Sequence, residues 1–378
     1  MRISTLRGIA QLATEATLGV ARVVEGVHAG VLRTTGLPLA GEGGPTRGVT
    51  GFVYGAVRGT ARAVGSGVGA ALGAVERAVG VDDGDESPRD VAWRAALNGA
   101  LGDHLAATGN PLALAMTLRH AGSPWSPARL VAPGPSALVS IHGLCMSDVH
   151  WRTERDGQVV DHSRDAANAL GHVPIDVRYN TGLAIAANGR ELSRRLDELC
   201  RDWPVSLQRI DVVAHSMGGL VLRHACIHAE ATGAPWRARL RHVVFLGTPH
   251  FGSPLERAGH GVDRLLAATP WSAPFASLGR ARSAGIVDLR HGLRDVPLPA
   301  GVSCHAVAAT LASRGDSALR RYVGDGLVPL ESALGRHREP ARSLAFPRRS
   351  QLIAHGTGHI ELLSSARIGA RIRAWLDD

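Results

Sequence analysis

Residues 211–220 read DVVAHSMGGL, the most informative stretch of the chain. An apolar run leads into Ser216, and a helical pattern over 220–229 follows at once. A serine on such a sharp strand-to-helix turn has an exposed hydroxyl group. The turn needs minimal side chains two residues before and two residues after the serine, where Ala214 and Gly218 stand. The stretch therefore predicts a strained turn that presents Ser216 as a nucleophile.

A serine in such a turn is a weak nucleophile unless a histidine accepts its proton and a carboxylate orients that histidine. Downstream, Asp325 stands between two glycines after an apolar run over 304–310, which predicts a tight turn carrying a carboxylate. His359 follows, just before an apolar helical pattern that ends at Leu376. The order serine, aspartate, histidine is the one found in α/β-hydrolases. We therefore predict Ser216, Asp325 and His359 as a catalytic triad.

Other residues compete for two of these roles. His355 is the alternative base, but a Gly-Thr-Gly loop follows it, whereas His359 opens the terminal helix. A solvated turn or a helix cap explains each of the alternative acids equally well; they are Asp288, Asp295 and Asp316.

A buried strand is predicted over 137–141, and it ends in His142-Gly143-Leu144. A strand that ends in His-Gly turns the chain so that a backbone N–H points at a developing oxyanion. We expect Leu144 and Met217 to supply the two N–H donors of an oxyanion hole. His142 is expected to support the loop rather than to react. The residues assigned to the substrate pocket are His142, Gly143, His215, Trp271 and Phe275.

Together these motifs resemble an α/β-hydrolase of the lipase/esterase type. Residues 245–257 also resemble the Gly-Thr-Pro-His segment of bacterial triacylglycerol lipases and of glycosylphosphatidylinositol inositol-deacylase-like esterases. The resemblance covers roughly 135–378, with four motifs in the right order, and departs from the family where Ala214 replaces a glycine. It implies a three-layer α/β/α fold with a mainly parallel sheet. It also implies a mobile cap at about 250–300, whose apolar side chains, Trp271 and Phe275 among them, cover the acyl pocket.

The elements of that fold can be placed on the sequence. Strands are expected near 137–141, 173–178, 210–215, 241–246 and 303–310. Helices are expected near 188–201, 217–231 and 360–376.

The activity that the resemblance implies is hydrolysis of a carboxylic ester through an acyl-enzyme on Ser216. An acyltransferase or a membrane-lipid deacylase would use the same triad, and a non-catalytic lipid-binding module is a further alternative. No cofactor is needed for this chemistry. Some bacterial lipases carry a structural calcium ion, but the sequence has no clear cluster of oxygen ligands and we assign no metal.

Composition narrows the range of partners. The chain has 378 residues and a net charge of +9, and all 42 of its basic residues are arginine. The arginines are scattered, aromatic residues make up only 4%, and no nucleic-acid-binding module is recognisable, so a nucleic-acid partner is not expected. Excess positive charge also favours contact with anionic membrane surfaces. The four cysteines have neither a disulfide-framework pattern nor metal-site spacing.

The N-terminal third has a different pattern. Helical periodicity predicts one helix over 4–33 and a second ending near Gly80, with a small residue at every fourth position over 51–71. Such a stripe allows another helix to approach closely. The two helices would pack on the hydrolase or on another copy of the chain, or alternatively rest on a membrane. An acidic linker over 81–87 precedes a helix that a capping serine and Pro88 begin.

We therefore predict a helical hairpin over 1–80, a linker and helix over 81–134, and a catalytic domain over 135–378. The N-terminus shows no signal-peptide pattern, and no stretch reaches the ~18–20 apolar residues of a membrane span. The simplest expectation is a cytoplasmic protein, with peripheral membrane contact through residues 1–80 and self-association as further expectations.

Overall fold

The computed structural model describes residues 2–34, 48–79, 86–130, 133–155, 157–252, 283–293, 296–313 and 324–378. The α-helices in these ranges are α1 (Ile3–Thr34), α2 (Gly48–Val79), α3 (Pro88–Ala107), α4 (His162–Ala169), α5 (Ile185–Asp202), α6 (Met217–Thr232), α7 (Ala284–Leu289), α8 (Leu330–Ala333) and α9 (Ala366–Leu376). The strands are β1 (Thr117–His120), β2 (Ser123–Pro124), β3 (Ser136–Ile141), β4 (Thr153–Arg155), β5 (Gln158–Val160), β6 (Val173–Arg178), β7 (Arg209–His215), β8 (Leu240–Leu246), β9 (Ser303–Thr310) and β10 (Gln351–His355).

Eight strands form one sheet in the order β10-β9-β8-β7-β3-β6-β1-β2. The six strands from β10 to β6 are parallel, and β1 and β2 add an antiparallel edge. The five predicted strands are all present. Since parallel strands end at the same edge of a sheet, the loops that follow β3, β6, β7, β8, β9 and β10 meet at that edge.

Helices cover both faces of the sheet. Alternate strand residues point to opposite faces, so Val212 belongs to one hydrophobic cluster and its neighbour Val213 to the other. The first cluster includes side chains of α5 and α6, and the second includes side chains of α4 and α9. The three-layer architecture with a mainly parallel sheet is therefore confirmed.

The C-terminal helix differs from its prediction. Instead of one helix over 360–376, a short 3₁₀ turn (Ile360–Leu363) precedes α9. Ser365 has an extended backbone between the two. The Ser364 hydroxyl donates to the Glu361 carbonyl at 3.5 Å, and side-chain bonds of this kind compete with the continuation of a helix.

The chain divides into two compact units, 1–85 with 105–113 and 86–104 with 114–378. In the first unit α1 and α2 are antiparallel partners, joined by the ion pairs Arg7–Glu76 and Glu25–Arg58. Gly65 allows α2 to approach Thr14, whose Oγ1 lies 2.3 Å from where a Cβ would stand. The stripe over 51–71 is not this contact surface, because Gly55, Gly59 and Gly67 have no described atom within 4 Å of a Cβ position.

Helix α3 begins as predicted. The Ser87 hydroxyl accepts a hydrogen bond from the Asp90 N–H at 3.2 Å, and Pro88 is the first helical residue. Among the helices of the described ranges, none combines the length and hydropathy needed to cross a bilayer.

Candidate active site

Ser216 stands on a strained turn between β7 and α6. Its backbone has φ 52° and ψ −124°, a conformation that L-residues rarely adopt. The Ser216 N–H donates to the Leu246 carbonyl at 2.8 Å and ties the turn to the end of β8. A Cβ at Gly218 would lie 2.5 Å from the Ile141 carbonyl oxygen, so no larger residue fits there. The turn therefore has the geometry that the sequence pattern predicts.

Asp325 and His359 are in direct contact. Asp325 Oδ2 lies 2.7 Å from His359 Nδ1, and both side chains are buried. Asp325 Oδ1 accepts hydrogen bonds from the N–H groups of Leu327 and Val328 at 2.9 and 2.7 Å. The flanking glycines, Gly324 and Gly326, have φ of +50° and +93° and form the tight turn. The carboxylate is thus fixed by three hydrogen bonds.

The other ring nitrogen of His359 is available for chemistry. Nε2 is buried and has no hydrogen-bond partner among the described residues. The ring packs on Gly247, where a Cβ would lie 3.1 Å from both Nδ1 and Cε1. Gly247 has φ +58° and begins the Gly-Thr-Pro-His segment that follows β8. Close packing on this glycine and the bond to Asp325 together fix the orientation of the imidazole.

His215 links the serine turn to His359. Its ring centroid lies 4.7 Å from that of His359, and its Nε2 donates to the His359 carbonyl at 3.3 Å. Complete burial holds the pKa of His215 well below its ordinary value, so the ring is neutral. A Cβ at Gly143 would lie 3.1 Å from His215 Nδ1 and 3.0 Å from the Ser216 Cβ. Three of the predicted site residues, Gly143, His215 and Ser216, therefore lie together.

The loop over 142–147, here called the β3 loop, carries the predicted donor Leu144. Its Cys145 has φ +59° and donates its N–H to Thr181 Oγ1 at 3.1 Å. The second predicted donor, Met217, is the first residue of α6, so its N–H belongs to the four that a helix leaves without an intrahelical acceptor. Burial raises the pKa of the Cys145 thiol to about 12, which makes this cysteine unsuited to nucleophilic chemistry.

His142 has a supporting position in the β3 loop. Its ring stacks on Tyr179 with centroids 4.4 Å apart, and the Tyr179 hydroxyl donates to the His142 carbonyl at 2.8 Å. Burial lowers the pKa of His142 to about 3. Neither Tyr179 nor Thr181 is predicted from the sequence, although both closely follow β6 at the edge where ligands bind in open parallel sheets.

The remaining candidates occupy other places. Asp288 accepts a hydrogen bond from the Ile185 N–H at 2.8 Å at the start of α5, so it acts as a helix cap. His355 ends β10. Asp295, Asp316, Trp271 and Phe275 lie outside the described residues, as does most of the predicted cap. In the ranges that the structure describes, no group of three or more His, Cys, Asp or Glu side chains is arranged to hold a metal ion.

Comparisons with known proteins give a family match and several similar folds. A domain of unknown function (DUF7379) matches residues 183–288. A search of curated protein sequences gives no match. The mature lipase BlEst2 of Bacillus licheniformis has 19% identity and a TM-score of 0.42, covering 66% of this chain and 92% of its own.

Two further esterases have similar folds. The esterase Pf2001 of Pyrococcus furiosus shares 13% identity, with a TM-score of 0.39 over 64% of this chain and 80% of its own. A thermophilic esterase of Thermogutta terrifontis shares 14% identity, with a TM-score of 0.39 over 69% of this chain and 92% of its own. With its parallel sheet covered by helices on both faces and Ser216 on the turn between β7 and α6, the chain has the α/β-hydrolase fold.

Proposed function

We propose that this protein hydrolyses carboxylic esters through an acyl-enzyme on Ser216. One observation carries the proposal: a buried imidazole is oriented by a carboxylate at 2.7 Å through Nδ1, while its Nε2 has no partner among the described residues. This is the arrangement that a general base requires. The base belongs to the same sheet edge as a serine with φ 52°, which supplies the nucleophile.

The chemistry follows in two balanced steps. His359 Nε2 takes the Ser216 proton as Oγ attacks the ester carbonyl, and the imidazolium returns that proton to the leaving alcohol as the C–O bond breaks. A water molecule then attacks the acyl-enzyme by the same route, which releases the acid and restores the serine. The Asp325 carboxylate, bonded to Nδ1, stabilises the imidazolium.

The negative charge that develops on the carbonyl oxygen needs fixed donors. We assign this role to the N–H groups of Leu144 and Met217. In other enzymes, removing one such donor lowers kcat by about 10²–10³-fold. The effect is large because the donors are already oriented towards the oxyanion in a site that excludes water.

Release of p-nitrophenol from short and long acyl esters tests the proposal. Ser216→Ala should lower kcat by about 10⁶, the usual effect of removing a triad nucleophile. Ser206→Ala is the matched control, since Ser206 is exposed on the loop before β7. If Ser216→Ala retains activity within tenfold of wild type, the nucleophile is another residue and the proposal fails.

The same assay separates the alternatives that share the triad. Adding an alcohol acceptor should leave the acid as the main product of a hydrolase, whereas an acyltransferase would form the new ester. A non-catalytic lipid-binding module would release no p-nitrophenol at any acyl length. Release of fatty acid from phospholipid vesicles, measured beside the soluble esters, tests for a membrane-lipid deacylase.

A further inference from the structure

Residues 88–104 of helix α3 precede the sheet in the chain but belong to the second unit. Every residue over 95–100 is buried. Since a helix that is buried around its whole circumference lies in the interior of a domain, α3 is a core element and not a linker. It contains Gly99 and Gly102, although glycine is less favourable than alanine inside a helix. Glycines inside a helix usually have a packing reason.

Gly99 lies against the backbone of the β3 loop. A Cβ at Gly99 would stand 2.2 Å from Cys145 Sγ, 2.9 Å from its Cα and 3.0 Å from its N. Because two of these atoms are backbone, a rotamer change at Cys145 would not relieve the overlap. The absence of a side chain at residue 99 therefore sets how closely α3 and the β3 loop approach.

The next turn of α3 holds a second loop, which follows β6 over 179–184 and is called here the β6 loop. Asn180 Nδ2 donates to the Gly102 carbonyl at 2.9 Å. A Cβ at Gly182 would lie 2.1 Å from the Asn98 carbonyl oxygen, so this approach is equally close. The β6 loop in turn supplies Thr181 Oγ1, the acceptor for the Cys145 N–H. Both loops thus rest on one stretch of α3 and on each other.

Residues that precede and begin α7 hold α3 as well. The Ser283 hydroxyl donates to the Gly99 carbonyl at 2.7 Å, and the Ala284 N–H donates to Asp103 Oδ2 at 2.9 Å. Gly99 is therefore bonded to Ser283 through its carbonyl and packed on Cys145 through its Cα. A helix held in this way cannot shift freely to accommodate movement of the β3 loop.

We propose that Gly99 is a positioning residue for ester hydrolysis: its contact with Cys145 holds the adjoining Leu144 N–H where it stabilises the oxyanion. The proposal rests on the proposed function. Its physical basis is the φ of +59° at Cys145, a left-handed conformation that is unfavourable for a non-glycine residue. The backbone at Cys145 relaxes unless neighbouring groups prevent it. The groups that prevent this relaxation are the Thr181 hydroxyl, which accepts the Cys145 N–H, and the surface of α3 at Gly99, where no side chain intervenes.

Gly99→Ala tests the proposal, with Gly67→Ala as the matched control. Both replace a helical glycine, but Gly67 is exposed on α2 with no described atom within 4 Å of a Cβ. We expect Gly99→Ala to lower kcat by about 10–100-fold. This decrease is smaller than the one expected when an oxyanion donor is lost completely, because the Leu144 N–H is displaced but not removed. The KM for a small neutral ester should stay within about threefold, and the pH profile should not move because the Asp325–His359 pair is not displaced. Gly67→Ala should match wild type in kcat, KM and pH profile, and only its thermal stability should rise, because alanine is the better helix former.

A trifluoromethyl ketone separates oxyanion stabilisation from a general loss of structure. The serine hydroxyl adds to its carbonyl and forms a reversible hemiketal whose oxygen occupies the oxyanion hole. Gly99→Ala should raise the inhibition constant of this ketone by the same factor by which it lowers kcat. Adding Cys145→Gly to Gly99→Ala removes the closest overlap and the cost of the positive φ, so the double variant should recover part of the lost affinity.

The outcomes distinguish the two proposals. If wild type cleaves esters through Ser216 while folded Gly99→Ala keeps wild-type kcat and ketone affinity, the role of Gly99 is overturned and the proposed function stands. If wild type cleaves no ester and Ser216 forms no ketone adduct, the proposed function itself fails. Should Gly99→Ala not fold, Ser283→Ala removes the bond to the Gly99 carbonyl at little change in volume. Ser283→Ala should then bind the ketone more weakly than wild type does, and an unchanged affinity for the ketone overturns the proposal.

Discussion

Asp325 and His359 are joined twice, once by their side chains and once by their backbones. The side chains meet at 2.7 Å between Oδ2 and Nδ1, and the His359 N–H donates to the Asp325 carbonyl at 3.1 Å. Two bonds between the same residues fix both the position and the rotation of the imidazole. His359 therefore depends on the Gly324-Asp325-Gly326 turn for its place as well as for its charge stabilisation.

The first prediction separates these two contributions. Asp325→Asn keeps the backbone bond but loses the negative charge that holds the Nδ1–H tautomer, so kcat should fall by about 10⁴, as in a serine protease with the same change. The unfolding midpoint should change far less than the activity. Steady-state kinetics and thermal melts of the same preparations check both expectations.

The choice between two histidines is tested in parallel. His359→Ala should be as damaging as Ser216→Ala, because the two side chains act as a unit. His355→Ala should leave kcat within about tenfold of wild type. If the two variants exchange these effects, the base is His355 and the assignment of the C-terminal region is wrong.

A second prediction concerns Gly247, on which the His359 ring packs. Gly247→Ala places a methyl group 2.7 Å from Leu362 Cδ1 and 3.1 Å from two ring atoms of His359, and it should lower kcat at least tenfold by displacing the imidazole. Gly356→Ala is the control, since Gly356 has almost the same φ, +59° against +58°, with nothing within 4 Å of a Cβ. Both variants should lose about 1–2 kcal/mol of stability from the left-handed backbone. Gly247→Ala should lose more than Gly356→Ala because its methyl group also overlaps the buried Leu362 side chain. Equal activities in the two would exclude an effect of the ring contact.

A third prediction concerns stability in acid. Burial lowers the pKa of His305 to about 4, while the unfolded chain has the ordinary value near 6.5. The unfolded state therefore takes up a proton first as the pH falls from 6.5 towards 4, and folding stability is lost over this window. His305→Phe keeps a ring stacked on Trp375 and removes the titration. Urea unfolding gives the free energy of unfolding at pH 7 and at pH 5. The decrease in this free energy from pH 7 to pH 5 should be smaller by roughly 1 kcal/mol in the variant than in wild type. An equal loss in both proteins would contradict the assignment.

The fourth prediction is that the N-terminal hairpin has no catalytic role. Deletion of residues 1–80 removes α1 and α2 but keeps α3, so the truncated protein should cleave small soluble esters with a kcat close to that of the full chain. Several valines and Phe52 are exposed on these two helices, and Phe52 is 77% exposed. Deletion should therefore reduce self-association or binding to anionic vesicles. Sedimentation and vesicle flotation of both proteins distinguish these outcomes. A folded truncation without activity would show instead that the hairpin helps to build the site.

The parts of the fold that could be predicted are those with a strong local pattern. Apolar runs such as 210–215 and 241–246 read as buried strands of a parallel sheet, and the structure has strands there. The turn at Ser216 was predictable because small residues must flank it. The apolar spacing continues through 360–376 and therefore predicts one helix, whereas the extended backbone of Ser365 becomes evident only in the folded structure.

The residues of the candidate site also differ in whether a local sequence pattern predicts them. Ser216, Asp325 and His359 were chosen from residue type, order and flanking glycines. Tyr179, Thr181 and Gly99 carry no such pattern, because each acts through one contact with a residue distant in the chain. Glycine within helix α3 was a visible signal, but nothing local tells which backbone approaches it.

The alternation of buried strands with helices, the serine turn and the order of the reacting groups can all be read from the chain before it is folded, since each depends on the properties of neighbouring residues. The 2.7 Å contact of Asp325 with His359 and the approach of Gly99 to Cys145 without room for a Cβ arise only from long-range packing. These contacts join residues 34 or more positions apart, and their distances are set by how β3, β9 and β10 align in the sheet and how α3 packs on its loops. Short-range preferences choose the elements, whereas close packing of the whole domain fixes which atoms of those elements come together.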